Sequence, residues 1–455
     1  MNRKRITSIL KWTGIVIVSL TVIYAVLLIW STIKLSQAYA ALAKDGRPMR
    51  AEDVIPPKVP DTENAALLYQ IAILRLKAER AGEQNLLEHE GKLSSDLLSG
   101  SLDPNEQEEL ARLLQTTCIE QALAAVEEGV QRSQCRFDLD YDKGPGTRLV
   151  HLAWIGNTTR ILCAKAQMEA SQGNGAKAWK TLETALRFAD ALRSEPFPVS
   201  QNVRIAQTRK TIASMQSLCQ ISPPDPQQMA RLDNVLKGFD DDGPYIAAMD
   251  GERLLCGDWV FRASPMSRFN WAFSSDHCVD WFGLVRSLAR TSPVLFKPTL
   301  QYDHAVYLEV LHQSTQMLVT PYSPQDTDVE RQLFAAIPWY CPLTRNLLSP
   351  ISKSYWIVGP KAEIRITRAG LAALRYRQAH GVFPENFDAL GLQDLVDPFN
   401  GKPLFYRSEG EGFLVYSVGL DQKDDGGTPR PNDKEDPRYK EGWDIVWRYP
   451  GPKAL

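Results

Sequence analysis

The sequence predicts a mainly α-helical protein with an N-terminal transmembrane helix, a large exported α-helical domain and a small C-terminal α+β unit. Three observations carry that expectation. An uncharged apolar run, "TGIVIVSLTVIYAVLLIWSTI", fills residues 13–33. Apolar residues then recur at helical spacing from residue 62 to about 340, with no alternating βαβ pattern. Beyond Lys361 one helical stretch gives way to short β-like pieces separated by turn formers.

A stretch of ~20 apolar residues crosses the ~30 Å hydrocarbon layer as a helix. Trp12 and Trp30 stand near the two ends of the run, where indole rings favour the membrane interface. Arg3, Lys4, Arg5 and Lys11 precede it, and the first acidic residue is Asp45. This asymmetry keeps residues 1–12 cytoplasmic and exports the rest. The expected location is a bacterial inner membrane, single-pass, with the bulk of the chain periplasmic or extracellular. The lipid bilayer is then a partner through residues 13–33. The alternative is a cleaved signal peptide, because Ala38-Tyr39-Ala40 has the small-x-small form of a cleavage site. The apolar run is longer than a signal peptide's ~7–15-residue core, and Ala38 lies beyond its end, past Lys34.

A length of 455 residues suits two or three domains, and a formal charge of −2 lacks the basic excess of a nucleic-acid binder. No nucleic-acid partner is expected. The seven cysteines (118, 135, 163, 219, 256, 278, 341) form no CxxC pair, which excludes a zinc ribbon. Loop length permits a Cys118–Cys135 disulfide; most of the others suit burial as small hydrophobes.

Residues 34–61 read as a stalk, Pro-rich from Val54 to Asn64, and residues 62–355 as the exported helical domain. "ENAALLYQIAILRLKAER" places Leu67, Ile71, Leu74 and Ala78 at helical spacing, with Asp61 in the N-cap region. "DPNEQEELARLLQTTCIEQALAAVEEGVQR" repeats the pattern with an acidic first turn that suits the helix dipole. Two helices joined by "SQGNG" follow, with Ala166, Ala170, Gly173, Ala176 and Ala178 allowing close approach. Over about one repeat this layout resembles a tetratricopeptide hairpin, which implies an antiparallel helical pair. "VRIAQTRKTIASMQSLCQ", "PDPQQMARLDNVLKGFDD" and "QYDHAVYLEVLHQSTQML" predict further helices. Between them, residues 259–282 are rich in Trp and Phe, which suits either inter-helix packing or a glycan or membrane-surface contact.

Catalytic signatures are absent: no GxSxG, no Walker loop and no GxGxxG before a helix. Asp276, His277, Cys278 and Asp280 gather in "SSDHCVDW", but a Cys next in sequence to a His does not share its direction on a regular element. His304 and His312 lie two helical turns apart without an HExxH, and His380 precedes the helix-ending Gly381 as a dipole partner.

The C-terminal unit, residues 361–450, carries a more specific pattern. Its helix ends on Tyr376, Gly381, Phe383 and Pro384. Asp397, Pro398, Gly401, Pro403 and Tyr406 follow, then "YSVGLDQKDDGG" from Tyr416 and a closing Asp444-Ile445. Over about a fifth of the chain, these pieces resemble in order the C-terminal globular part of the type II secretion major pseudopilins. That resemblance implies a small α+β fold and a calcium ion held near Asp421 and Asp444, with Asp424 or Asp425 assisting. Oxygen ligands suit such a hard cation. The same loop fails as an EF-hand, having Lys423 at position 3 and Asn432 at position 12. A solvated acidic turn is the alternative. A pseudopilin's N-terminal processing site and helix Glu are missing, so the unit is joined to a different, helical body. The expected function is binding or scaffolding at the cell envelope, linked to secretion or surface assembly, with envelope-protein partners. The alternative is an exported hydrolase with its site in the helical domain.

Overall fold

The computed structural model describes residues 3–82, 91–94, 96–97, 102–262, 294–392, 395–429 and 443–451. Helix α1 spans Arg3–Lys44 and is the one described helix long and apolar enough to cross a membrane. It does not stop with the apolar run at Ile33. No Gly or Pro follows until Gly46, whose positive φ of 67° turns the chain. The first part of the predicted stalk is therefore the last three turns of α1, and it is built into the body. Ala38 and Leu42 are buried with Tyr307, Leu308 and Leu311 of α11 (Lys297–Val319). The Pro-rich remainder lies against the body too: Arg253 donates to the Pro48 carbonyl, and Arg136 Nε donates to the Pro56 carbonyl at 2.9 Å.

Helix α2 (Ala65–Gly82) is capped by Asn64, whose side chain accepts from the Ala66 amide at 3.1 Å; Asp61 lies outside the cap. The predicted core face of α2 is corrected. Leu67, Ile71 and Leu74 are exposed, while Ala65, Ala66, Tyr69, Ala72 and Leu76 are buried. This helix is apolar on most of its circumference, and the face with small residues wins because it permits close approach. Tyr69 packs so tightly over Gly129 that a Cβ there would collide with its ring.

The next predicted stretch breaks at Gln115–Thr116 into α3 (Pro104–Leu114) and α4 (Thr117–Gly129). Asp103 opens α3 with a capping box closed by Glu106. Cys118 and Cys135 both carry free thiols, so the disulfide expectation is withdrawn; the Cys118 thiol donates to the Arg75 carbonyl at 2.8 Å.

The expected hairpin is α5 (His151–Ser171) and α6 (Gly175–Asp190), followed by α7 (Pro198–Ile221) and α8 (Pro226–Phe239). Ala166, Ala170, Ala178 and Trp179 meet in one core, and Trp179 Nε1 donates to the Ser222 carbonyl at 2.7 Å. After α9 (Gly243–Gly251), a π-type turn at Glu252–Gly257 leads into the short α10 (Asp258–Arg262). Beyond α11 come α12 (Asp326–Ala335), α13 (Pro342–Leu347) and α14 (Gly359–His380), which Gly381 ends in the left-handed conformation. His380 bonds the Tyr376 carbonyl in that last turn.

The strands lie where the sequence places them: β1 (Phe405–Glu409), β2 (Gly412–Ser417) and β3 (Ile445–Tyr449). They form an antiparallel sheet in the order β1-β2-β3, with Tyr406, Val415 and Trp447 in register. The helical region and the C-terminal unit share one hydrophobic core. Ile366 and Leu374 of α14, with Phe413, Val415 and Trp447 of the sheet, share one cluster with Trp179, Met215 and Leu232. A seam of ion pairs flanks it. Arg209 bonds both oxygens of Glu363 at 2.8 and 2.6 Å, Lys361 pairs with Asp242 at 2.5 Å, and Arg368 with Asp233 at 2.7 Å.

Candidate functional site

Where α1 joins the body, three elements place their polar groups together. Asp258, at the start of α10, is almost wholly buried. His304 Nε2 lies 2.8 Å from its Oδ1, and the Tyr39 hydroxyl donates to both carboxylate oxygens at 3.3 Å. Arg262 closes the outer side at 3.3 Å. Phe261 lies flat on the imidazole, 4.2 Å between centroids and 7° between planes. These contacts fix α1 to α10 and α11 by buried, charge-assisted hydrogen bonds, which are stronger than neutral ones.

Beneath them lies a denser polar group. Burial raises the Glu252 carboxyl, although a hydrogen bond from Cys256 pulls the other way. The Tyr307 hydroxyl has no partner among the described residues and is pushed well above the ordinary tyrosine range by burial. It fits only because Gly257 faces it without a side chain. Arg253, also buried, pairs with Asp250 at 3.7 Å, and Arg47 holds Asp250 at 3.0 Å.

The second cluster sits between α5 and the start of α7. His151 Nε2 is 2.7 Å from Glu195 Oε1, and Ser200 Oγ donates to Glu195 Oε2 at 2.6 Å. Serine, carboxylate and imidazole are all present, but in the wrong order for nucleophilic catalysis. In the familiar triad a serine is activated by an imidazole that a carboxylate orients; here the carboxylate of Glu195 stands between Ser200 and His151. The imidazole, stacked on Phe137 at 4.1 Å, forms one wall of an open groove of about 290 Å³. Its other walls include Ile73, Leu74 and Lys77 of α2, with Arg148 and Val150. Leu74 and Val150 are exposed.

The third place is the acidic loop. Asp421 accepts from the Lys423 amide at 3.1 Å, and Asp424 from the Tyr416 hydroxyl and the Gly426 amide, both at 2.9 Å. Asp425 is exposed. Asp444 is buried; its Oδ2 accepts from the Gly427 amide at 2.7 Å, while Oδ1 has no partner among the described residues. Among the described residues no group of three or more His, Cys, Asp or Glu side chains is placed to hold a metal ion. The carboxylates are instead engaged one by one, and Gly427 presses the loop onto Leu414 and Tyr416 of β2. Residues 430–442 lie outside the described residues, as do Asp276, His277, Cys278 and Asp280. His312 pairs with Asp45 at 3.0 Å, apart from His304.

Sequence reading missed Glu195 and Asp258, whose imidazole partners lie more than forty positions away, where no local spacing signals them. It named Asp397 only within the C-terminal pattern; the buried Asp397 accepts from the Phe399 and Val418 amides and the Ser417 hydroxyl, each at 2.9 Å.

Together these features define a helical body, crossed at one side by a long apolar helix and carrying a small sheet in its core. No family model matches the chain, and neither a curated protein nor a solved structure is significantly similar to it.

The buried carboxylates give a pH dependence. Burial raises Asp250, Asp303, Glu330, Asp397 and Asp444 as well as Glu252. At Asp233 burial is outweighed by Arg368 and Lys237, and Asp53 is lowered by Arg50. A raised group binds its proton more tightly folded than unfolded. Its stabilisation is full below the ordinary 3.8 for Asp and is lost as pH rises through the folded value. These groups should therefore make the full-length protein in detergent melt higher as pH falls from neutral towards the ordinary 3.8. A flat or declining melting profile across that interval contradicts this.

Proposed function

We propose that the protein is a single-pass envelope protein of a bacterial inner membrane, whose exported helical body binds or scaffolds partners at the membrane surface. One observation carries the reading: α1 runs unbroken from the apolar stretch into the core of the body. Cleavage after Ala40 would separate Ala38 and Tyr39 from their buried partners, so an uncleaved anchor fits the packing better than a signal peptide. A body held in this way faces the membrane at a fixed height, which suits a scaffold. The open groove beside His151 is the candidate binding surface. The inverted order of Ser200, Glu195 and His151 offers no support to the hydrolase alternative.

A reporter enzyme fused after Leu455 tests the topology, and a photo-crosslinking residue at Leu74 tests the binding. The expected results are reporter activity only outside the cytoplasm, full retention in membranes, and discrete adducts from position 74. The exposed position Val329 should give none. A reporter active in the cytoplasm sinks the topology. Absence of adducts at position 74 sinks the role of the groove.

A further inference from the structure

Helices α1 and α11 run parallel, and the contacts between them begin well inside the apolar stretch. The Tyr24 hydroxyl donates to the Val294 carbonyl at 2.5 Å, just before the first turn of α11. Higher up, Gln301 Oε1 accepts from Ser31 at 3.1 Å and Thr32 at 3.2 Å, and Trp30 stacks on Tyr302 at 4.8 Å. Still higher, Tyr39 meets His304, and Asp45 meets His312.

At ~1.5 Å per residue, Tyr24 lies about 14 Å below Ile33, the outer end of the run. From Trp12 to Tyr24 the helix rises only about 18 Å, far less than the ~30 Å hydrocarbon layer. Lifting Val294 clear of the lipid would draw the span back to about Lys4 and carry Lys11 roughly 10 Å into the inner leaflet. Either placement asks one lysine, Lys11 or the exposed Lys297 one turn above Val294, to extend its stem to the headgroups. The short rise below Tyr24 sets the start of α11 beside the outer-leaflet part of α1.

The exposed side chains at this level agree. Val294 and Leu295 are 69% and 64% exposed, and Trp339 is 76% exposed. Trp339 continues an aromatic row from Trp30 through Tyr302 and Tyr340, with centroid separations of 5.9 and 5.6 Å beyond Tyr302. Tyr and Trp gather at such membrane interfaces. The backbone is suited to it as well: Pro298 has no amide to satisfy, and the Lys297 amide bonds the Val294 carbonyl at 3.2 Å.

We infer that Val294–Leu295 and Trp339–Tyr340 form a second membrane contact, inserted into the outer leaflet beside α1. The inference rests on the spanning reading above. The test uses the full-length protein in vesicles containing phospholipid with a diazirine-bearing acyl chain, irradiated and mapped by mass spectrometry. Adducts are expected on α1 and on peptides holding Val294–Leu295 and Trp339–Tyr340. None is expected at Val319, an equally exposed residue at the far end of α11. Adducts confined to α1 overturn the inference and leave the anchor standing, as do adducts equally strong at Val319. An unlabelled α1 overturns the spanning reading itself.

Discussion

Severing the chain between Val358 and Gly359 is expected to abolish cooperative folding of both pieces. The residues beyond the cut contribute Ile364, Ile366, Leu371, Leu374, Phe383, Phe413, Val415 and Trp447 to the cluster that also holds Trp179, Met215 and Leu232. Each such side chain stabilises by about 1.5–3 kcal/mol when fully buried. Exposing roughly five of them costs about 7.5–15 kcal/mol, as much as the ~5–15 kcal/mol stability of a typical domain. The cut would also part Arg209 from Glu363 and Arg368 from Asp233, leaving half-buried charges unmatched. Calorimetry and near-ultraviolet circular dichroism of the separated pieces measure this. A sharp melting transition in the isolated 359–455 piece would show that the C-terminal unit stands alone after all.

Asp397→Ala should be the most damaging single substitution in the C-terminal unit, lowering stability by on the order of 3–5 kcal/mol. The carboxylate joins the turn before β1 to the end of β2 through three donors. Removing it leaves two buried amides and a hydroxyl without an acceptor. Asp397→Asn should fall between, because its amide nitrogen would face the Val418 amide, donor to donor. Ser417→Ala removes one donor and should cost about 1 kcal/mol. Chemical denaturation of the full-length protein in detergent ranks the three; an Asp397→Ala midpoint equal to wild type would remove Asp397 from this role.

Much of the fold could be read from local pattern. The Asp103 and Asp225 capping boxes, the Gly381 stop and the three β-rich pieces all have their causes within a few residues. Helix α2 shows where such reading fails. With apolar residues on most of its circumference, periodicity cannot choose a face, and the choice depends on Gly129, far along the chain. The end of α1 failed for a related reason, since an apolar run marks solubility and not where a helix stops. The polar clusters were the least legible. His151–Glu195 and Asp258–His304 join residues more than forty positions apart, so only packing brings them together. For the acidic loop, the sequence named the aspartates but not their separate attachments.

The unbroken passage of α1 into the body has a mechanical consequence. Single spans adapt to bilayer thickness by tilting, with an average near 20°. Between Ile33 and Lys44 the helix contains no Gly, no Pro and no break that could absorb a change of angle. Any tilt is therefore passed on undiminished through Tyr39, Ala38 and Leu42. With α1 spanning the bilayer as proposed, the body acts as a pointer fixed to its axle: a thicker membrane stands it upright, a thinner one leans it over, and the groove beside His151 swings with it.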